Sequence, residues 1–246
     1  MRRRRGSTAT APPAATTPEE AAAHFKEHGL FWMRDVLTTT DLEKLRSAAA
    51  ESFNECARML LLKQALGDAA DACKHAELME RDGARFDCRH GVNQPPLSTL
   101  LRPDGPAATL LPSLTRCLGQ EAEVVALGQI VAVSLDSWVD MLGDRVDDVL
   151  ADGADASTLG TQRWHADGPA DSFAGSAGDA LTLFIPLVEL TPSNGATSYH
   201  LGSHTDAPTA PPTTDDHHEA EATTLYLPAG SAVAFGTRLC FPRPQP

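Results

Sequence analysis

The sequence predicts an α+β fold, with helices gathered in the first half and a β-sandwich or barrel behind them. Two features of the order of residues carry this expectation. Between residues 17 and 67, apolar residues recur at helical spacing behind recognisable cap signals. From residue 181 onward, short apolar runs alternate with Pro, Gly and Asn turns, which is the punctuation of antiparallel strands. At 246 residues and 42% hydrophobic content, the chain is long enough to bury a sizeable core, and it contains no internal repeat.

In chain order, "TPEE" offers Thr17 as N-cap, Pro18 at the first helical position and Glu20 at the third, a capping box. That helix should run to about Glu27 and end at His28-Gly29. "LFWMRDVL" follows as a short strand. "TTTDLEKLRSAAAESFNECARMLLLKQALG" reads as a long helix capped by Thr40 and Glu43, with Leu42, Leu45, Ala49, Phe53 and Cys56 on one face. A further helix is expected from Asp68 to Arg81. "ARFDCRHGV" reads as a strand, and residues 107–118 as a helix stopped by Gly119. "AEVVALGQIVAVSL" reads as a buried strand pair. The acidic, Gly-rich stretch 140–161 reads as a solvated insertion, since it lacks the ordered spacing of a calcium loop. "ALTLFIPLVEL" and "ATSYHLGSH" read as strands joined by the "TPSNG" turn, with Asn194-Gly195 suited to positive φ. A Pro-rich polar loop, residues 206–222, separates them from two last strands in "TTLYLPAGSAVAFGTRLC".

Composition excludes several function classes. The formal net charge of -13 disfavours nucleic acid, which demands a basic surface that releases counterions. There is no run of apolar residues long enough to span a membrane. A small-molecule substrate is the expected partner. The five cysteines, Cys56, Cys73, Cys88, Cys117 and Cys240, are scattered without zinc spacing, as expected of free thiols in a reducing compartment. Residues 1–16 are Arg-rich and free of acids, the composition of a disordered basic tail and also of an organellar transit segment. A single domain is expected over residues 17–246, in the cytoplasm or, if the tail is a transit segment, in an organelle.

The chemically suggestive stretch is "TQRWHADGP", residues 161–169. Residues i and i+2 of a strand share a face. His165 and Asp167 can therefore present an imidazole and a carboxylate to one metal ion. A non-haem Fe(II) oxygenase uses two imidazoles and one carboxylate on one side of the metal, leaving positions open for other ligands.

The context of that tripeptide is similar to the phytanoyl-CoA dioxygenase family of Fe(II)/2-oxoglutarate oxygenases. The likeness runs through "QRWHADGP", "LTLFIPLVELTPSNGATSYHLGSH" and "LYLPAGSAVAFGTRLC", and includes "FKEHGLFWMRDVLTTTDLEKLR" near the start. It is weak between residues 48 and 160. The resemblance implies a double-stranded β-helix, jelly-roll-like, with flanking helices. It implies Fe(II) bound by His165 and Asp167, with 2-oxoglutarate as cosubstrate. Phe184 falls where the family often places an aromatic beside that cosubstrate. Gln162 and Arg85 are further candidates for cosubstrate contact, with Arg89 an alternative to Arg85. His204, in "LGSH", matches a family Gly-Ser-His whose histidine supports the site or the fold and is not a ligand.

The family pattern also calls for a second His just after a segment like "FGTRLC", and an Arg about one strand later. Here Phe241 stands at about the place of the His, followed by "PRPQP". Three readings follow: a sequence truncated or mis-spliced after Cys240, a catalytically dead binding module on an oxygenase scaffold, or substitution by His200, His217, His218 or Cys240. The sequence as it stands is expected to be weak or inactive in catalysis.

Overall fold

The computed structural model describes residues 11–65, 78–81, 85–90, 95, 97–124, 126–132, 180–192, 194, 196–205, 222–237 and 239. Helix α1 spans Pro18–His28. Thr17 caps it, its side chain accepting from the Glu20 N–H at 3.1 Å. The Glu20 carboxylate reaches back one residue further than a capping box requires, to the Thr16 N–H (2.8 Å) and hydroxyl (2.7 Å). These bonds hold the Glu20 carboxyl below its ordinary pKa. Gly29 ends the helix at φ 82°, left-handed backbone that suits glycine.

Strand β1, Leu30–Met33, follows directly, and helix α2 runs Thr39–Ala65. The cap of α2 is Thr38 and not the expected Thr40. The Thr38 hydroxyl accepts from the Asp41 N–H and donates to the Asp41 carboxylate at 2.6 Å. "TTTD" offers three adjacent caps, and with Thr38 at the N-cap the Asp41 side chain stands at the third helical position to reciprocate. Residues 78–81 form strand β2, which corrects the helix expected to continue to Arg81. They pair with β3, Arg85–His90, from Arg81↔Arg85 to Leu78↔Cys88, so tertiary pairing overrides local helix propensity.

Helix α3, Leu111–Leu118, is entered through a 3-10 turn at Ala108–Leu110 and stopped by Gly119 at φ 71°. Strand β4, Leu127–Ala132, is the one described strand where a buried pair was expected, and it is not buried: Ile130 is 49% exposed. Strand β5 is short, Leu181–Phe184. Pro186, without an N–H, lies just beyond it and accepts from the Gly230 N–H at 2.8 Å. Strand β6, Thr197–Tyr199, pairs with β7, Thr223–Leu225, and β8 is Ala232–Gly236. Asn194 makes the turn before β6 by its side chain, accepting from the Thr191 N–H and donating to the Glu189 carbonyl. Gly195 lies outside the described residues, as do the 140–161 stretch and residues 206–221.

The described strands form three antiparallel sheets, β1-β8-β5, β2-β3-β4 and β6-β7. The first is apolar on both faces. Phe31, Ala232 and Ala234 pack with Ala21 and Phe25 of α1, Leu45 of α2, and Leu110 and Leu114 at α3. Leu30, Trp32, Val233 and Phe235 pack on the other side with Tyr199, Leu225, Leu227 and Leu239. The helices thus cover one face, and the β6-β7 pair covers the other, as in a β-sandwich interior. Residues 11–16 run along β1: the Trp32 indole donates to the Pro12 carbonyl at 2.8 Å, and the Ala15 N–H to the Trp32 carbonyl.

Candidate functional site

The apolar side facing β6-β7 holds the expected cosubstrate aromatic. Phe184 shares a face of β5 with Thr182, and its ring meets Phe235 edge-on, centroids 5.1 Å apart. Tyr199 approaches Phe235 from β6 at 5.3 Å in the same T-shaped manner. Phe235 and Tyr199 are fully buried, whereas Phe184 is half-buried. Phe184 therefore lies at the edge of the aromatic group. Sequence reasoning did not single out Tyr199 or Phe235; their alternation within "ATSYHLG" and "SAVAFG" marks them only as inward-facing.

His204 sits in a 3-10 turn, Ser203–Thr205, buried against the end of α1. Its Nε2 lies 3.2 Å from the Lys26 carbonyl, and the bond exists when Nε2 carries the proton. The Gly202 N–H donates to the His28 carbonyl at 2.9 Å, and the Gly29 N–H to Phe25. The carbonyls left open by the last turn of α1 are thus met partly from a segment some 175 residues away. A side-chain Cβ at Gly29 would come within 2.6 Å of His204 Nδ1 and 2.7 Å of Leu239. The Gly-Ser-His turn and Gly29 are therefore fitted to each other.

The β2-β3-β4 sheet carries Arg85, which opens β3 opposite Arg81 and Ala132. Arg89 is opposite Gly128. Cys88, on the alternate face, is 1% exposed. That face packs on α2: the Gln129 amide donates to the Ala49 carbonyl at 3.1 Å, and Ser52 Oγ approaches His90 Nδ1 at 3.5 Å. Burial lowers the His90 pKa, and a side-chain hydrogen bond with Gln129 partly offsets it.

His165, Asp167 and Gln162 lie outside the described residues, as do His217, His218 and Cys240. Among the described residues, no group of three His, Cys, Asp or Glu side chains could hold a metal ion, and no helix is long and apolar enough to cross a membrane.

A family model matches most of the chain. The model for phytanoyl-CoA dioxygenase (PhyH) aligns with residues 25–241. The chain belongs to the PhyH family. Solved structures agree on the fold at low identity. The α-ketoglutarate-dependent carbocyclase SnoK of nogalamycin biosynthesis matches with TM-score 0.53 and 17% identity, covering 95% of this chain and 81% of SnoK. EctD from S. alaskensis, solved with 2-oxoglutarate and 5-hydroxyectoine, matches with TM-score 0.56 and 17% identity, covering 96% of this chain and 73% of EctD. The epimerase SnoN, in complex with Fe3+, α-ketoglutarate and nogalamycin RO, matches with TM-score 0.52 and 16% identity, covering 93% of this chain and 77% of SnoN. A search of curated proteins finds no match. PhyH membership makes the double-stranded β-helix with flanking helices the architecture of this chain, and the family's members are Fe(II)/2-oxoglutarate oxygenases.

Proposed function

We propose that this protein is an Fe(II)- and 2-oxoglutarate-dependent hydroxylase of a small organic molecule. The observation that carries the reading is the PhyH match across residues 25–241, which spans "QRWHADGP" with its His165 and Asp167. An imidazole and a carboxylate two residues apart are an N/O donor set that suits Fe(II). His165 and Asp167 would hold the metal. Bound iron and 2-oxoglutarate would supply the O2-dependent oxidation of an unactivated C–H bond.

The protein's own residues orient and exclude water. Phe184 offers an aromatic wall to the cosubstrate, backed by Phe235 and Tyr199, so its ring is held in one orientation. Gln162 and Arg85 provide polar contacts to the cosubstrate, Arg85 with the forked geometry that fits a carboxylate. His204 acts indirectly, by fixing the α1 terminus on which β1 and the large sheet begin.

One observation favours a second reading, a ligand-binding protein on an oxygenase fold: Phe241 stands where the family resemblance expects the second imidazole. Two measurements separate the readings. Succinate release from 2-oxoglutarate, dependent on Fe(II) and abolished by His165→Ala, establishes the oxygenase. Iron and 2-oxoglutarate binding without succinate release, under any of a panel of small organic substrates, establishes the binder. If neither iron nor 2-oxoglutarate binds in calorimetry, the metal-site assignment is wrong.

A further inference from the structure

The last turns of α1 carry a motif that the oxygenase chemistry does not use. "HFKEH", His24 to His28, has the pattern H-x-x-E-H and lies wholly within the helix Pro18–His28. Residues i and i+4 of a helix stand one above the other on one face, with i+3 beside them. Two imidazoles in that relation make a two-pronged chelate, which is why H-x-x-E-H and its reverse recur in helical zinc sites.

The structure brings the pair together. The His24 and His28 ring centroids are 6.1 Å apart, with the planes at 53°. Coordination to one ion, with metal–nitrogen distances of about 2.1 Å, would set the centroids roughly 5 Å apart, a closure that side-chain rotation supplies. Both residues are half-buried, so part of their freedom is already lost before binding. Among the described residues, His24 Nδ1 is shielded from solvent with no hydrogen-bond partner, so the ring has a polar atom still to be satisfied. Glu27 Oε2 lies 3.9 Å from His28 Nε2, within ion-pair range. From there it orients the His28 ring, as carboxylates behind metal-bound imidazoles do.

The backbone under both prongs is fixed. The Gly29 N–H donates to the Phe25 carbonyl, the Gly202 N–H to the His28 carbonyl, and His204 Nε2 meets the Lys26 carbonyl. The site is at the C-terminal end of α1, where the helix dipole favours a cation. Glu20, one turn before His24, and Glu27 place two carboxylates beside the pair, against the one ammonium of exposed Lys26.

We propose that His24 and His28 form a binding site for a divalent transition metal, zinc first, with Glu27 positioning His28 and water in the remaining coordination places. Imidazole donors select zinc, nickel or copper over magnesium and calcium, which take oxygen ligands. The bound ion staples the final turn of α1, from which β1 begins. The site uses none of the residues assigned to iron, so it stands apart from the oxygenase reading.

The full chain, stripped of metal by a chelator, is titrated with Zn(II) in calorimetry, with Mg(II) as control. The titration is repeated in His165→Ala, which disables the assigned iron site. In both proteins His24→Asn or His28→Asn should weaken one equivalent of zinc by about tenfold or more, since even loss of a supporting partner costs that much. Glu27→Gln should weaken the same equivalent by less. Zn(II) should also raise the melting temperature of the parent more than that of either asparagine variant.

A second readout needs no variant. Carbethoxylation of histidines, mapped by mass spectrometry, should slow at His24 and His28 together in Zn(II) and not in Mg(II). The proposal is overturned if both rings react as fast in saturating zinc as without it. It is also overturned if folded His24→Asn and His28→Asn bind as many equivalents as tightly as the parent, or if the protection disappears in His165→Ala. Failure of the oxygenase reading looks different: succinate release would be absent while zinc still protects His24 and His28.

Discussion

The β1-β8-β5 sheet and the β2-β3-β4 sheet are both three-stranded and antiparallel, yet they are built for opposite ends. The first is apolar on both faces, with helices on one side and β6-β7 on the other. The second packs on α2 through Gln129 and His90, while Ile130, on its other face, is 49% exposed. A sheet buried on both sides stabilises the fold. A sheet that leaves a large apolar side chain in solvent removes less apolar surface from water and contributes less.

The widest contrast is between one substitution in each sheet. Phe235 is fully buried between two aromatic rings, so Phe235→Ala should cost about 3–5 kcal/mol in denaturant unfolding. Ile130→Thr, on the open face, should change stability by no more than about 0.5 kcal/mol. Comparable losses at the two positions would mean that the second sheet is covered as thoroughly as the first.

The same contrast explains what could be read from the sequence. The doubly covered sheet was legible because burial imposes a pattern: "LFWM" and "AVAFG" are apolar at every position. Gly29 and Gly119 were legible as helix stops because positive φ singles out glycine. The open sheet was misread at both ends. "LMER" has good helix formers, and only its partner "RFDC" across the chain reversal makes it a strand. "LGQIVA" looks buried because Ile looks the same on an exposed face as in a core. Phe184 came from the family likeness, and its backing by Phe235 and Tyr199 needed the three-dimensional contacts.

The joint between the first sheet and its helices should be the next most sensitive place. Gly29→Ala must adopt left-handed backbone, at a cost of about 1–2 kcal/mol, and also displace His204 or Leu239 from within 2.7 Å of the new methyl group. His204→Ala removes the bond to the Lys26 carbonyl and should cost about 1–3 kcal/mol. The two changes are coupled, because the methyl group of Gly29→Ala is accommodated better when the imidazole is gone. A double-mutant cycle should therefore show the pair costing less than the sum of its members. Strict additivity would mean that Gly29 and His204 are fitted to the rest of the joint and not to each other.

The smallest effect belongs to the packed face of the second sheet, and it is read in pH. Burial against α2 lowers the His90 pKa below that of the unfolded chain. Between those two values the unfolded chain binds more protons than the folded one, so stability rises with pH across that window. Above the unfolded value both states are neutral and the contribution is flat. Acidification from the ordinary histidine range downward should therefore loosen the contact between the second sheet and α2, where His90 and Gln129 meet Ser52 and Ala49. His90→Gln cannot charge, and its stability profile should be flatter across that window than the parent's. Because His90 is only partly buried, the difference should be modest and confined to the acid side. An equal acid slope in parent and variant would remove His90 as its source. The acid sensitivity of the fold would then originate elsewhere, and the α2 face of the second sheet would be as indifferent to protonation as the doubly covered sheet beside it.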